Sequence, residues 1–279
     1  MLNRKAFASL MLVLATLLWG LSYSVQSVSA ESLGPFATVF FKGAGGLFLL
    51  PFLILQKRKA DKESVFGGIL MGFFAFAGCV FQQLGITYSS VSKASFITSL
   101  YIIFVPLLER LLGKEVKKKI WFCVLISICG LYFLCMNSSA GINIGDLFLL
   151  MGSIMFAVQI IVIDRYSRKC DALVLTFVSQ VSVAVFAFIV MVVWEGVDFS
   201  AMSNAFLPII YIVFIGGLLA QCLQITYQRD LDSSLASLLM SFESVFGAFF
   251  GWVLLGQVMS LRELFGCILV FVSILLAEL

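Results

Sequence analysis

A chain of 279 residues that is 62% hydrophobic and 12% charged, with a mean hydropathy of +1.11, has too few polar groups to cover a water-soluble globule of its size. Its net charge of +3 is too small to mark a nucleic-acid binder, and it has no histidine to serve as metal ligand or neutral-pH base. Six of the seven cysteines lie in apolar runs, Cys170 lies in a short polar link, and none forms a CxxC pair, so neither a metal centre nor a redox pair is expected and no cofactor is implied.

A helix needs about 20 apolar residues to cross the hydrocarbon of a bilayer, because every backbone polar group must be bonded within its own segment. Ten runs approach that length, at 6–28, 35–55, 65–88, 94–112, 120–136, 146–163, 172–194, 205–227, 233–255 and 259–277. The expected fold is an all-α integral membrane protein of ten transmembrane helices. Arg4 and Lys5 ahead of a run ending in Val28-Ser29-Ala30 give the first span the look of a cleavable leader, but the repeat described below needs it, so its retention is expected. The links are short and leave no room for an extramembrane domain, so the expected partners are membrane lipids and a small-molecule substrate.

Basic residues test the count. With the N-terminus inside, fifteen of the 18 fall on the cytoplasmic side, in clusters around Arg4, Lys57 to Lys62, Arg110 to Lys119, Arg165 to Lys169 and Arg229. Lys93 and Arg262 fall on the other side, and Lys42 lies within a span. This alternation predicts both termini in the cytoplasm and a multi-pass protein of the cell membrane.

The chain also resembles itself. Gly78-x-x-x-Gln82-x-Leu84-x-Ile86-Thr87-Tyr88 in the third span returns as Gly217-x-x-x-Gln221-x-Leu223-x-Ile225-Thr226-Tyr227 in the eighth. Leu111-Leu112-Gly113 returns as Leu254-Leu255-Gly256, and Trp19-Gly20 has a looser echo in Phe156-Ala157. The halves 1–137 and 138–279 therefore read as two five-helix repeats. Because five is odd, the second copy must be inverted in the bilayer, an arrangement that supplies two packings of similar energy and suits alternating access.

Polar groups at membrane depth are costly and usually face a cavity or a partner. Two ionisable residues stand well inside spans, Lys42 in the second and Glu243 in the ninth; they read either as a coupling or substrate-anchoring site or as a structural ion pair. Gln82 on the third span, and Gln221 with Gln224 on the eighth, sit on glycine-bearing faces that read either as opposing cavity walls or as close helix packing with amide cross-links. Pro51 and Pro106 each remove a backbone donor inside a span and are candidate hinges or static kinks.

At Trp19-Gly20-Leu21-Ser22-Tyr23, Lys42, the two Ile-Thr-Tyr segments and Ser241-Phe242-Glu243-Ser244-Val245-Phe246 through Leu255-Gly256-Gln257, the sequence resembles the drug/metabolite transporter superfamily, specifically its EamA-type members. The resemblance implies a ten-helix basket with a central cavity, and it places Trp19, Tyr23, Tyr101, Phe156 and Gln159 where that cavity is expected. Ser244 stands where the family has proline, and Gln257 where it has glutamate.

The function expected is secondary transport of small organic metabolites, amino acids foremost, with export as the direction. No GxxxxGK[ST] signature points to ATP as the energy source. A channel or lipid scramblase is the alternative, and an intramembrane enzyme a remote one, because no paired carboxylates or nucleophile constellation stands at depth.

Overall fold

The computed structural model describes residues 4–29, 32–89, 91–135, 143–196, 202–203, 205–255 and 260–278. Among these, ten long helical segments follow one another: α1 (Arg4–Ser29), α2 (Pro35–Leu55), α3 (Lys62–Tyr88), α4 (91–111), α5 (Lys118–Cys135), α6 (Ile144–Ser167), α7 (Ala172–Trp194), α8 (Phe206–Gln228), α9 (233–255) and α10 (Leu261–Glu278). Eight of them are long and apolar enough to cross a membrane by length and composition. The other two, α5 and α10, have 18 residues each and pack against one another. Gly256 and Gln257 lie outside the described residues.

Helix starts are set by local chemistry. Asp61 accepts from Ser64 N at 2.8 Å to cap α3, and those bonds from Ser64 hold its carboxyl below the usual carboxylate value. Asn143 and Asp146 exchange bonds in a capping box at α6, and Asp171 accepts from Leu173 N and Val174 N at α7. Pro35 opens α2 at a position where its missing donor costs nothing.

The outward surface carries bare hydrophobic side chains, among them Phe52, Phe66, Phe122, Phe188 and Val193, in numbers that water would not tolerate and acyl chains would. The interior is mixed. Serines, threonines and glutamines are buried beside the leucines and isoleucines of the largest apolar cluster.

Equivalent helices of the two halves meet antiparallel. Glu195, just beyond α7, accepts from Phe36 N (2.7 Å) and Ala37 N (2.9 Å) at the start of α2, while Arg58, just beyond α2, bonds Asp171 at the start of α7. In the middle Gln180 Nε2 donates to Lys42 O at 3.2 Å. The α5/α10 pair crosses at two glycines: a Cβ on Gly266 would stand 2.5 Å from both Gly130 O and Leu134 N, so only hydrogen at that position lets the two backbones meet. Ser9 Oγ donates to Glu278, which brings the two ends of the chain to the same end of the bundle.

Four helices are irregular. The α2 helix tightens to a 3-10 turn at Gly45–Leu49, and α8 widens to a π-helix at Tyr211–Leu219. Within α4 the helix is interrupted between Thr98 and Tyr101, and within α9 at Ser241. The α4 interruption meets α9 one turn beyond its own, with Ser99 Oγ and Ser244 Oγ 2.7 Å apart and Ser244 Oγ donating to Ser95 O at 3.2 Å. Thus α9 breaks at Ser241 without a proline, and the Ser244 hydroxyl bonds α4. Of the candidate hinges, Pro106 lies inside the continuous stretch Tyr101–Leu111, while Pro51 lies in the first turn of Leu50–Leu55, directly after the 3-10 turn of α2.

Candidate functional site

The irregular helices, together with α1, α3 and α6, surround a cavity in the interior of the bundle. Trp19 and Tyr23 come from α1, Lys42 from α2, Gln82 from α3, Tyr101 from α4, Phe156 and Gln159 from α6, Gln221 and Gln224 from α8, and Glu243 from α9. All ten residues therefore line one space. Its free volume is about 60 Å³, enough for about four waters and too little for a solute of amino-acid size unless the walls move.

Glu243 follows directly on the interruption of α9 and is 7% exposed. Tyr23 Oη donates to Glu243 Oε1 at 3.4 Å and itself accepts from Gln82 Nε2 at 3.0 Å, so carboxylate, phenol and amide form a line from α9 through α1 to α3. Tyr101 is 1% exposed; its hydroxyl lies near Ser99 and Glu243 yet makes no hydrogen bond of ordinary length. The hydroxyl thus lies on the cavity wall with bonding capacity to spare.

Lys42 and Glu243 lie within electrostatic reach of each other but form no direct ion pair. The Lys42 ammonium has no hydrogen-bond or ion-pair partner among the described residues. Its backbone carbonyl is occupied, by Gln180. The result is one ammonium and one carboxylate facing the same small polar space, separately.

The glutamines are ordered. On α8, Gln221 Nε2 donates to Gln224 Oε1 at 3.2 Å, Gln224 Nε2 to Gln228 Oε1 at 3.1 Å, and Gln228 Nε2 to Ile160 O at 2.8 Å. The π-helical stretch of α8 has a local use as well, since Gly216 O within it accepts from Trp19 Nε1 at 2.9 Å and fixes the indole at the cavity wall.

Sequence reasoning left out Ser22, Gln26 and Gln180, which also line the cavity. Gln180 was findable, as an amide in the middle of an otherwise apolar run; so was Gln26, three residues beyond Tyr23 on α1. Ala75, Cys79, Val183 and Met240 complete the wall and carry no polar signal.

A multi-pass helical bundle with a polar, charge-bearing cavity in its interior is the architecture of a membrane transporter. Residues 6–136 and 143–279 each match the EamA-like transporter family, and the chain belongs to that family, with one copy in each half. A protein of Archaeoglobus fulgidus described as an uncharacterized transporter is 30% identical over 279 residues, covering 99% of this chain and 87% of its own length. A solved crystal structure aligns with a TM-score of 0.80 at 16% identity over 98% of this chain and 96% of its own, a likeness of fold. The protein is an integral membrane transporter of the EamA family and not an enzyme.

Proposed function

We propose that the interior cavity is the solute site of a secondary transporter for small zwitterionic metabolites, amino acids foremost, working by alternating access across the cytoplasmic membrane. The carrying observation is that Lys42 and Glu243 face the same cavity without pairing. An α-amino acid brings the complementary charges, its carboxylate to Lys42 and its ammonium to Glu243, and the unbonded Tyr101 hydroxyl and the glutamine amides add directional hydrogen bonds. Trp19 and Phe156 offer flat apolar walls to a side chain. The 60 Å³ of free space is in keeping with a contracted state that must expand to admit such a solute.

The basic clusters support a cytoplasmic assignment for the end that carries both termini. Counterflow in proteoliposomes, with a labelled amino-acid mixture outside and the unlabelled mixture inside, tests the reading. Saturable accumulation is expected in the wild type, and Lys42→Met and Glu243→Gln should each lower it by about ten-fold or more. Absence of exchange from folded protein would sink the amino-acid reading, while unsaturable flux would point to a channel.

A further inference from the structure

The end of the bundle that carries both termini holds a second and larger cavity, a vestibule of about 920 Å³ whose wall includes Glu109, Lys114, Asp164 and Arg168. Glu109 and Asp164 are each 5% exposed. Lys114 Nζ donates to Asp164 Oδ2 at 2.9 Å and to Glu109 Oε1 at 3.4 Å, and Ser234 Oγ donates to the other Glu109 oxygen. Arg168 donates from Nε to Asp164 Oδ1 and from Nη2 to Leu231 O, each at 2.8 Å. Glu109 and Lys114 belong to the first half of the chain and the others to the second, so the cluster is a bridge between halves. Burial works against the Lys114 charge, but Asp164, with Glu109, outweighs it and holds the ammonium above its ordinary value. On the lysine side the pairing is therefore lost as pH rises through that elevated value, and the ammonium is retained at neutral pH.

Between vestibule and central cavity the packing is apolar. Ile102 and Val105 of α4, Leu235 and Leu238 of α9 and Ile160 of α6 are all buried in one apolar cluster. On α4 this plug occupies the two turns between Tyr101, in the cavity, and Glu109, in the ion cluster, a span of about 12 Å. On α9 it occupies the turns between Ser234, which bonds Glu109, and Met240, which lines the cavity. Each of these half-helices, Tyr101–Leu111 and Ser233–Met240, is set off from the rest of its helix by one of these interruptions. Arg58–Asp171, by contrast, ties α2 to α7 at the same end, and neither of those helices contributes a named plug residue.

We propose that the half-helices 101–111 and 233–240 are the gate of this transporter towards the vestibule, locked by the Glu109–Lys114–Asp164–Arg168 cluster and jointed at Ser99–Leu100 and Ser241. A solute hydrogen-bonded to Tyr101 pulls on the cavity end of the same lever whose far end is locked. That coupling rests on the cavity being the solute site; the lock does not.

Hydrogen exchange followed by mass spectrometry on the full-length protein in nanodiscs, first without any solute, tests the lock. Lys114→Met, at a half-exposed position, is expected to speed exchange in 101–111 and 233–240 by about ten-fold or more while leaving 172–194 unchanged. Asp164→Asn should do the same, and Arg58→Ala should leave 101–111 unchanged. Unaltered exchange in Lys114→Met, or uniform acceleration across all helices, overturns the gate. Adding the amino-acid mixture should then change exchange in 101–111 of the wild type and not of Tyr101→Phe. No change in either, with the lock variants behaving as stated, overturns the solute coupling and leaves the lock standing.

Discussion

Tyr101 shows how much a single side chain can carry. Its phenol is buried in the cavity wall, close to Glu243 and Ser99, and has no ordinary hydrogen bond to the described residues. Tyr101→Phe gives up no ordinary hydrogen bond to the protein, so in the absence of solute the melting temperature should stay nearly level. Solute affinity should fall about ten-fold, read as a higher half-saturation in counterflow. A lower melting temperature with unchanged half-saturation would make Tyr101 an ordinary packing residue. At this scale the sequence was informative where cost was visible: a lysine, a glutamate and three glutamines at membrane depth all face one space. Ser22 and Met240 were illegible, because serines and methionines occur throughout membrane helices and only the fold says which ones face inward. Glu109 and Asp164 were illegible for another reason. Each stands at a helix end among basic residues, where an acidic group reads as solvated, and their burial depends on contacts across the halves.

Among the helices, apolar run lengths located each of the ten long helical segments, with 35–55 and 172–194 matching the observed bounds. Interruptions were harder to read. Proline drew attention to 51 and 106, yet α4 breaks at 99–100 and α9 at Ser241, where serine hydroxyls and tertiary contact make a discontinuity affordable. The π-helix of α8 has no sequence mark beyond Gly216-Gly217. Glycine spacing suggested close approach, and the kind of atom facing each glycine sets the consequence. A Cβ on Gly78 would meet the ring of Phe156 at 2.7 Å, and a ring can swing; a Cβ on Gly266 would meet backbone at 2.5 Å, which cannot. Gly266→Ala should therefore cost about 1–3 kcal/mol, seen as a lower melting temperature in detergent, while Gly78→Ala should melt nearly as the wild type and instead weaken solute exchange by pushing Phe156 into the cavity. Equal loss of stability in both would show that the Phe156 ring is held as rigidly as backbone.

Over the whole molecule, the internal repeat was the most productive reading. The matched motif holds Gln82 and Gln221, which line the same space, and both halves match the same family. What the repeat did not foretell is the asymmetry between its copies: α8 is π-helical where α3 is a regular α-helix, and the ion lock joins elements that are not equivalent in the two halves. A symmetric framework with an unsymmetric lock has one preferred resting state, which is a requirement for any device that waits for its solute.

The antiparallel pairs α2/α7 and α5/α10 also bear on assembly. Each joins one helix from either half, by Arg58–Asp171 and Glu195 in the first and by the crossing of Gly130 and Gly266 in the second. The halves thus hold one another by surface complementarity, much as two subunits of a dimer would. Residues 1–139 and 140–279, produced as separate polypeptides in one cell, should find each other in the membrane and co-purify on a tag carried by one of them. A tagged half recovered alone would mean that the covalent link, and not the fit between halves, brings the two together.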